Sequence, residues 1–356
     1  MRVIDLRSDT VTKPTPAMRE AMYRADVGDD CYSEDPTVNR LQEMAAERVG
    51  MEAALYMPSG LMANLAAILT HCCLADEIIL GYYTDMFQYE VGSYAAVGGV
   101  HPHPILNQPD GTIALEEIRR AIRSYEAERE EVPRTGLICL ENPNMLRGGV
   151  PLTSQYIASV RALADRYNIP IHLDGARIFN ATMALGVDVG ELTKDVDSMM
   201  FCLSKGLSCP VGSVLCGSKD FIHIARHRRK MLGGHMRQAG IVAAAGIVAL
   251  GQMVDRLADD HRNARLLAEG LNQIEGLSVG MDKVYTNIVF IDVKIDEIKP
   301  GRLVDRLAEE GVKILPLVSG LRAVTHYGIE EQDIENALTI IRRVVEELQL
   351  GGTDGG

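Results

Sequence analysis

The sequence predicts an α/β protein that combines a larger unit, built on a mostly parallel β-sheet, with a smaller C-terminal α+β unit. Between about residues 50 and 235, short apolar runs alternate with amphipathic stretches, which is typical of buried parallel strands covered by helices on both faces. After about residue 250 this alternation gives way to a different order of strand and helix patterns. We therefore divide the chain into residues 1–250 and residues 251–356.

The individual elements follow from apolar runs and helical periodicity. The larger unit has predicted strands at residues 53–57, 77–80, 136–141, 169–174, 198–203 and 211–216, and predicted helices at residues 61–72, 113–131, 153–168 and 219–230. A long helical pattern covers about residues 238–274, and we expect it to break or kink near Gly246 and Gly251. The smaller unit has predicted strands at residues 286–293, 313–318 and 321–326, a helix after Pro300 and a last helix that ends near Leu350.

Composition limits the possible partners and the compartment. Of the 356 residues, 47% are hydrophobic and 24% are charged, which suits a globular chain and excludes wholesale disorder. The net charge of −13 repels polyanions, so it argues against nucleic acid or an anionic membrane as the main partner. The longest apolar run, residues 239–250, is shorter than the roughly 20 residues of a membrane span. Seven scattered cysteines predict reduced thiols in a cytoplasmic protein, and no histidine shows metal-ligand spacing.

An aspartate and a lysine stand at the ends of two predicted strands. Asp174 ends the strand at 169–174, and Lys205 follows the strand at 198–203. Active sites of parallel sheets lie beyond the carboxyl ends of the strands. Pyridoxal 5′-phosphate (PLP) needs this pair of residues, because the amine forms a Schiff base while the carboxylate keeps the pyridine nitrogen protonated. His172, two residues before Asp174, points to the same sheet face, so we expect it to orient Asp174.

A third stretch supplies what a phosphate requires. Ser59 and Gly60 form a turn before a helical pattern, and the free N–H groups and dipole of a helix N-terminus suit an anion. The three features together predict a PLP site.

Longer motifs extend this prediction to a family. The chain resembles the low-specificity L-threonine aldolases, which belong to the fold-type-I, aspartate-aminotransferase-like PLP enzymes. The resemblance lies at residues 4–22, 27–41, 172–181, 201–213, 228–247 and 321–326. It implies a fold-type-I transferase-like fold and PLP-dependent cleavage of L-threonine, L-allo-threonine or another β-hydroxy-α-amino acid to glycine and an aldehyde. It also implies an N-terminal segment at the active site and a homo-oligomer, with a dimer as the smallest active unit and a tetramer typical of the family.

The resemblance further implies roles for individual residues. Lys205 would hold PLP, and Asp174 would pair with its pyridine nitrogen. Arg177 would lie near the PLP 3′-oxygen and the substrate carboxylate. Bidentate guanidinium pairing suits arginine to a carboxylate. The remaining implied roles are the phosphate turn at Ser59, Gly60 and Leu61, the substrate carboxylate site at Ser8 and Arg322, and contact of Arg229 with the cofactor phosphate of a neighbouring subunit.

Four positions depart from the family pattern. Asp85 and Asn144 stand where the family has histidines, His235 replaces a glycine, and Leu61 replaces a threonine hydroxyl. A carboxylate accepts a proton, whereas an asparagine is no base near neutral pH, so Asn144 is left as a substrate contact. We expect Asp85, or His235 of a partner chain, to be the base for the substrate hydroxyl. A different PLP reaction, namely β-elimination, racemisation or transaldolation, stays open because both histidines are replaced.

Overall fold

The computed structural model describes residues 2–123, 131–295, 299–318 and 320–351. The chain forms two compact units, one of residues 14–254 and one that joins residues up to 13 to those from 255 onward. The second unit differs from the predicted division at residue 250, because it includes the N-terminal strand. Ile4–Asp5 pairs in parallel with Val312–Lys313, and the Leu6 N–H donates to the Lys313 carbonyl at 2.7 Å.

The strands are short, as the apolar runs predict. In chain order they are β1 (Ile4–Asp5), β2 (Ala53–Met57), β3 (Glu77–Gly81), β4 (His101–Ile105), β5 (Thr135–Glu141), β6 (Ile171–Asp174), β7 (Ser198–Cys202), β8 (Ser213–Gly217), β9 (Leu277–Ser278), β10 (Ile288–Val293), β11 (Val312–Lys313), β12 (Leu315–Leu317) and β13 (Gly320–Val324).

The α-helices vary from one turn to more than five. In chain order they are α1 (Pro16–Arg24), α2 (Pro36–Val49), α3 (Gly60–His71), α4 (Asp85–Gln88), α5 (Ser93–Ala96), α6 (Leu115–Ala121), α7 (Ser154–Asp165), α8 (Ile178–Leu185), α9 (Val189–Thr193), α10 (Lys219–Met231), α11 (Gly240–Gln252), α12 (Leu257–Leu271), α13 (Pro300–Glu309) and α14 (Glu331–Gly351).

A seven-stranded sheet organises the unit of residues 14–254. Its order is β2-β8-β7-β6-β5-β3-β4. The strands β4, β3, β5, β6 and β7 pair in parallel, whereas β8 runs antiparallel to both β7 and β2. The prediction of a mostly parallel sheet is therefore confirmed. The strands β5, β6 and β7 are neighbours, so the residues that follow their carboxyl ends share one edge of the sheet.

The unit of residues up to 13 and from 255 onward has its own α+β architecture. Strands β12, β13, β10 and β9 form an antiparallel sheet, and β1 and β11 form a separate two-stranded parallel sheet. Its buried core draws on these strands and on α12, α13 and α14. The predicted C-terminal α+β arrangement is confirmed, and the run at 313–318 divides between two strands.

Two helix predictions need comment. The predicted helix at 113–131 appears as α6, and residues 124–130 lie outside the described residues. The long pattern at 238–274 divides into α11 and α12 after Gly251, but the kink expected at Gly246 was wrong. A Cβ on Gly246 would lie 2.9 Å from Leu41 Cδ1 and 3.0 Å from Leu203 Cδ1, so this glycine allows close packing inside a continuous helix.

Among the residues that the structure describes, no single helix is long and apolar enough to cross a membrane. The consecutive helices α11 and α12 meet that test of length and composition when they are taken together. Helix α11 is rich in buried alanine and packs against α1 and α2, as core helices do.

Gly175→Ala is expected to destabilise the sheet edge. Gly175 follows Asp174, and a Cβ there would lie 2.8 Å from the Met200 carbonyl oxygen on β7. Because backbone atoms must move to relieve this contact, we expect the free energy of unfolding in urea to fall by about 1–3 kcal/mol. Gly251→Ala is the matched control: no described residue outside its own helix lies within 4 Å, so stability should hold or rise slightly. Equal midpoints for the two variants would contradict this explanation.

Candidate active site

Helix α3 begins at the edge of the sheet with a capped turn. Ser59 is the N-cap residue, and its Oγ accepts a hydrogen bond from the Met62 N–H at 3.2 Å. A Cβ on Gly60 would lie 2.9 Å from both the Cys202 Sγ and the Met200 Cε, so this glycine allows α3 to approach β7 closely. The first amides of a helix have no partner in its own hydrogen-bond ladder, and they face an anion favourably.

The N-terminus of α3 borders a cavity of about 330 Å³ that also contains the predicted aspartate and lysine. Ser59, Gly60 and Leu61 line it from the helix, Asp174 lines it from the end of β6, and Lys205 lines it from the loop after β7. The structure therefore brings together the three features that the sequence singles out, although they lie far apart along the chain.

The two charged groups of this cavity influence each other. Asp174 is 2% exposed. Burial raises the pKa of Asp174, while the nearby Lys205 ammonium lowers it, and the net direction is upward. Burial lowers the pKa of Lys205, and Arg177 acts in the same direction, but Cys202, Asp174 and Asp85 outweigh them and raise it above its ordinary value. A half-buried ammonium and a buried carboxylate thus share one cavity, where each offsets part of the cost of removing the other from water.

Two further polar residues, Asn64 and Glu90, line the cavity, and sequence reasoning missed both. The Asn64 Nδ2 donates to Asp174 Oδ2 at 2.9 Å and to Glu90 Oε1 at 2.7 Å. The Asn64 Oδ1 lies 3.1 Å from His172 Nε2, so the predicted link between His172 and Asp174 runs through this amide. Burial, and then the charge of Asp174, raise the pKa of Glu90 well above its usual range.

Asp85 lines the same cavity at the start of α4. Its N–H donates to Glu141 Oε2 at 2.6 Å, and the Met145 N–H donates to Glu141 Oε1 at 2.8 Å. Glu141 ends β5 and joins the Asp85 loop to the loop after β5. Burial, and then the charges of Asp174 and Asp85, raise the pKa of Glu141 to about 8.

Asn144 uses its side chain within the loop after β5. Its Nδ2 donates to the Tyr83 carbonyl at 2.8 Å, and its Oδ1 accepts from the Arg147 N–H at 3.0 Å. It is 1% exposed, and the described residues that line the cavity do not include it. These two bonds hold the Asn144 amide within the loop. A contact between Asn144 and the substrate stays a prediction.

Arg177 and His235 lie outside the described lining of the cavity. Arg177 is the half-buried residue before α8, close enough to Lys205 for its charge to affect that pKa. His235 is half-buried, and burial, followed by the charge of Arg229, lowers its pKa. Within one chain His235 therefore lies beside the Arg229 region, and a role at the active site of a partner chain stays a prediction.

Arg229 is fully buried and paired inside its own chain. Its Nη2 lies 2.5 Å from Asp30 Oδ2, and its Nη1 donates to the Tyr56 carbonyl at 2.7 Å. Both side chains of the ion pair are 0% exposed. Contact with a neighbouring subunit's cofactor stays a prediction, and it would require this ion pair to open.

Ser8 and Arg322 both belong to the second unit. The Arg322 Nη2 donates to the carbonyl of Arg7 at 3.3 Å, next to Ser8. The Ser8 Oγ accepts from the Thr10 N–H at 3.2 Å and caps a short 3-10 turn. Strand β13 carries Arg322, half-buried, opposite Phe290 of β10. The structure therefore brings the two predicted carboxylate ligands close together in the chain fold.

The sequence profile of the beta-eliminating lyase family matches residues 5–296, which is most of the chain. The chain belongs to the beta-eliminating lyase family. Within this family, it is 45% identical over 352 residues to a low-specificity L-threonine aldolase of Arabidopsis thaliana, with 98% of each chain covered. It is also 42% identical over 334 residues to the low-specificity L-threonine aldolase of Escherichia coli strain K12, covering 93% of this chain and 96% of that one.

A solved structure has a fold similar to that of this chain. Threonine aldolase from Leishmania major superposes with a TM-score of 0.80 over 96% of this chain and 99% of that one, at 19% identity. The two aldolase relatives confirm the predicted family. The superposition confirms the predicted fold class.

Arg229→Met should cost stability, because it leaves Asp30 buried without its closest cation. We expect the free energy of unfolding in urea to fall by roughly 3 kcal/mol. Arg226, at 3.7 Å from Asp30 Oδ1, offsets part of the loss. The exposed Lys230 next in sequence provides the control Lys230→Met, which should change stability little. The double variant with Asp30→Asn should recover part of the loss, and a double variant no more stable than Arg229→Met would contradict the ion-pair explanation.

Proposed function

We propose that this chain is a PLP-dependent carbon–carbon lyase. It cleaves L-threonine, L-allo-threonine or another β-hydroxy-α-amino acid to glycine and the corresponding aldehyde. One observation carries the proposal: Lys205, Asp174 and the N-terminus of α3 line one cavity in a chain that is 45% identical to a low-specificity L-threonine aldolase. The amino acid is a small-molecule substrate, in accord with the negative net charge of −13, which disfavours polyanionic partners.

The cavity residues fit PLP by their chemistry. The amine of Lys205 provides the covalent attachment, the carboxylate of Asp174 provides a partner for the pyridine nitrogen, and the α3 N-terminus provides N–H donors for the phosphate. Gly60 lets the start of α3 lie close to β7, since a Cβ there would come within 2.9 Å of the Cys202 and Met200 side chains. When bound, PLP supplies an electron sink for the pair released as the substrate Cα–Cβ bond breaks.

The protein residues bind the amino acid and move its proton. Arg177 and Arg322 are the proposed ligands of the substrate carboxylate, with Ser8 adding a hydrogen bond, because guanidinium groups pair bidentately with carboxylates. A base must take the proton of the substrate β-hydroxyl as the aldehyde forms. Asp85 is the better candidate for this base, because it lines the cavity that contains Lys205.

The assembly and compartment are also part of the proposal. We propose a homo-oligomer with a dimer as its smallest active unit, and a tetramer as its usual form. In a dimer, His235 and Arg229 of one chain would serve the cavity of the other. We propose a cytoplasmic location, which suits the seven cysteines, all of them without a disulfide partner.

Lys205→Ala should abolish both cofactor attachment and catalysis, because it removes the amine that holds PLP. Borohydride reduction followed by mass spectrometry should find a PLP adduct on Lys205 of the wild type and none on the variant. Incubation with L-threonine should yield glycine and acetaldehyde with the wild type alone. Lys194→Ala, at an exposed lysine paired with Glu191, is the matched control and should keep both properties.

The same incubation, extended to a panel of L-amino acids, tests the reaction class. Glycine and an aldehyde from β-hydroxy amino acids support the proposal. Pyruvate or a D-amino acid as the product, with no glycine from any substrate, would instead favour elimination or racemisation on the same scaffold.

Asp85→Asn should lower kcat for glycine release by about 10²–10⁴, because an amide cannot accept the substrate proton near neutral pH. The variant keeps the size of the side chain and the backbone bond to Glu141, so bound PLP should stay unchanged. His235→Gln should keep most of the rate. If His235→Gln loses the rate and Asp85→Asn does not, mixing the His235→Gln and Lys205→Ala proteins tests for a base from the partner, since mixed dimers would regain activity.

A further inference from the structure

A continuous chain of hydrogen bonds leads from the half-buried His71 of helix α3 to the buried Asp174. His71 Nε2 lies 2.8 Å from Ser198 Oγ, and the same Oγ lies 2.8 Å from His172 Nδ1. His172 Nε2 lies 3.1 Å from Asn64 Oδ1, and the Asn64 amide then reaches Asp174 and Glu90. Its members come from α3, β6 and β7. The proposed reaction assigns no role to either histidine.

The donor and the acceptor of each hydrogen bond in this chain can be assigned by starting from Asn64. Two carboxyl groups lie within 3 Å of Nδ2, so that atom must be the NH₂ donor and Oδ1 the acceptor. His172 Nε2 therefore carries a proton. Burial, and then His71, lower the pKa of His172 to about 3, so the ring is neutral near pH 7 and its Nδ1 accepts. The Ser198 hydroxyl must then donate to Nδ1 and accept from His71 Nε2.

This order leaves His71 as a second neutral donor with a fixed tautomer. Burial lowers the pKa of His71 to about 4, and its ring stacks on Phe221 with centroids 4.7 Å apart. The four successive donors all point toward the carboxyl groups of the cavity. Aligned hydrogen bonds polarise one another in a medium of low dielectric, which strengthens the last donor at Asp174.

We propose that Asn64 is the positioning residue of Asp174 and that the His71–Ser198–His172 chain sets the direction of its amide. The Asn64 NH₂ holds Asp174 Oδ2 while the Ala176 N–H holds Oδ1 at 2.9 Å, which fixes the plane of the carboxylate. The same NH₂ lies between Asp174 and Glu90 and donates to both. The inference rests on the proposed function, in which Asp174 pairs with the PLP pyridine nitrogen.

Asn64→Asp is the sharpest test, because it keeps the shape and replaces the donor by an acceptor. We expect the dissociation constant of PLP, measured by equilibrium dialysis of the full chain, to rise about tenfold or more, the size of one hydrogen bond to a charged group. Asn64→Ala should do the same. Asn107→Asp is the control: Asn107 is also buried near the sheet edge, but its amide bonds the main chain of Tyr83 and Gly111. Its PLP affinity should stay within twofold.

A second experiment examines the His71–Ser198–His172 hydrogen bonds in the absence of the cofactor. In the apoprotein labelled with ¹⁵N-histidine, NMR at pH 7 should find both His71 and His172 as neutral Nε2–H tautomers. Ser198→Ala removes the link between the two rings at a distance from the cavity, and should mix the tautomers of His172 while the fold persists by circular dichroism. It should weaken PLP binding less than the Asn64 variants do.

The outcomes separate this inference from the proposed reaction. PLP affinity within twofold of wild type in Asn64→Asp, or a protonated or Nδ1–H His172 in wild type, would overturn the positioning role whatever the products are. Weakened PLP binding with the expected tautomers would support it even if threonine yields no glycine.

Discussion

The cavity depends on two opposite charges at neighbouring strand ends, a buried aspartate and a half-buried lysine. Asp174 ends β6, and Lys205 follows β7, the next strand of the sheet. Neither charge is stable alone in such an environment, because burial disfavours both ionised forms. Each is retained because the other lies in the same cavity and because the sheet edge supplies further hydrogen bonds. The glycine at the start of α3 and the glycine after Asp174 allow the surrounding backbone to approach these groups closely.

Sequence reasoning singled out residues at the ends of apolar strands that the structure brings to one cavity. Asp174, Lys205 and the Ser59–Gly60 turn are visible because each interrupts a regular pattern, and parallel strands place such interruptions at one edge. The fold class was predictable for the same reason. The boundary between the two units was harder to predict. Strand β1 pairs with β11, which lies about 300 residues later in the chain, and a two-residue strand has little sequence pattern of its own.

Other residues depend on contacts that sequence spacing does not encode. Asn64 meets His172 and Asp174 at separations of 108 and 110 residues, although a polar residue within the apolar stretch 61–69 of α3 was a usable signal. Arg229 stands in a run of basic residues that is typical of a solvated helix end. Its burial follows from Asp30, 199 residues away, so the pairing was not visible along the chain.

The charge of Asp85 influences the pKa values of the other carboxyl groups around the cavity. The cavity and its border contain four carboxyl groups, at Asp85, Glu90, Glu141 and Asp174, against one lysine. After burial itself, the charge of Asp85 contributes to the upward pKa shifts of the other three. Four anions around one cavity would repel one another strongly, so protons must stay on some of them. Glu90 and Glu141 are the groups that burial favours as neutral acids. Protonation of Glu90 and Glu141 leaves Asp174 as the carboxylate that pairs with the cation of Lys205.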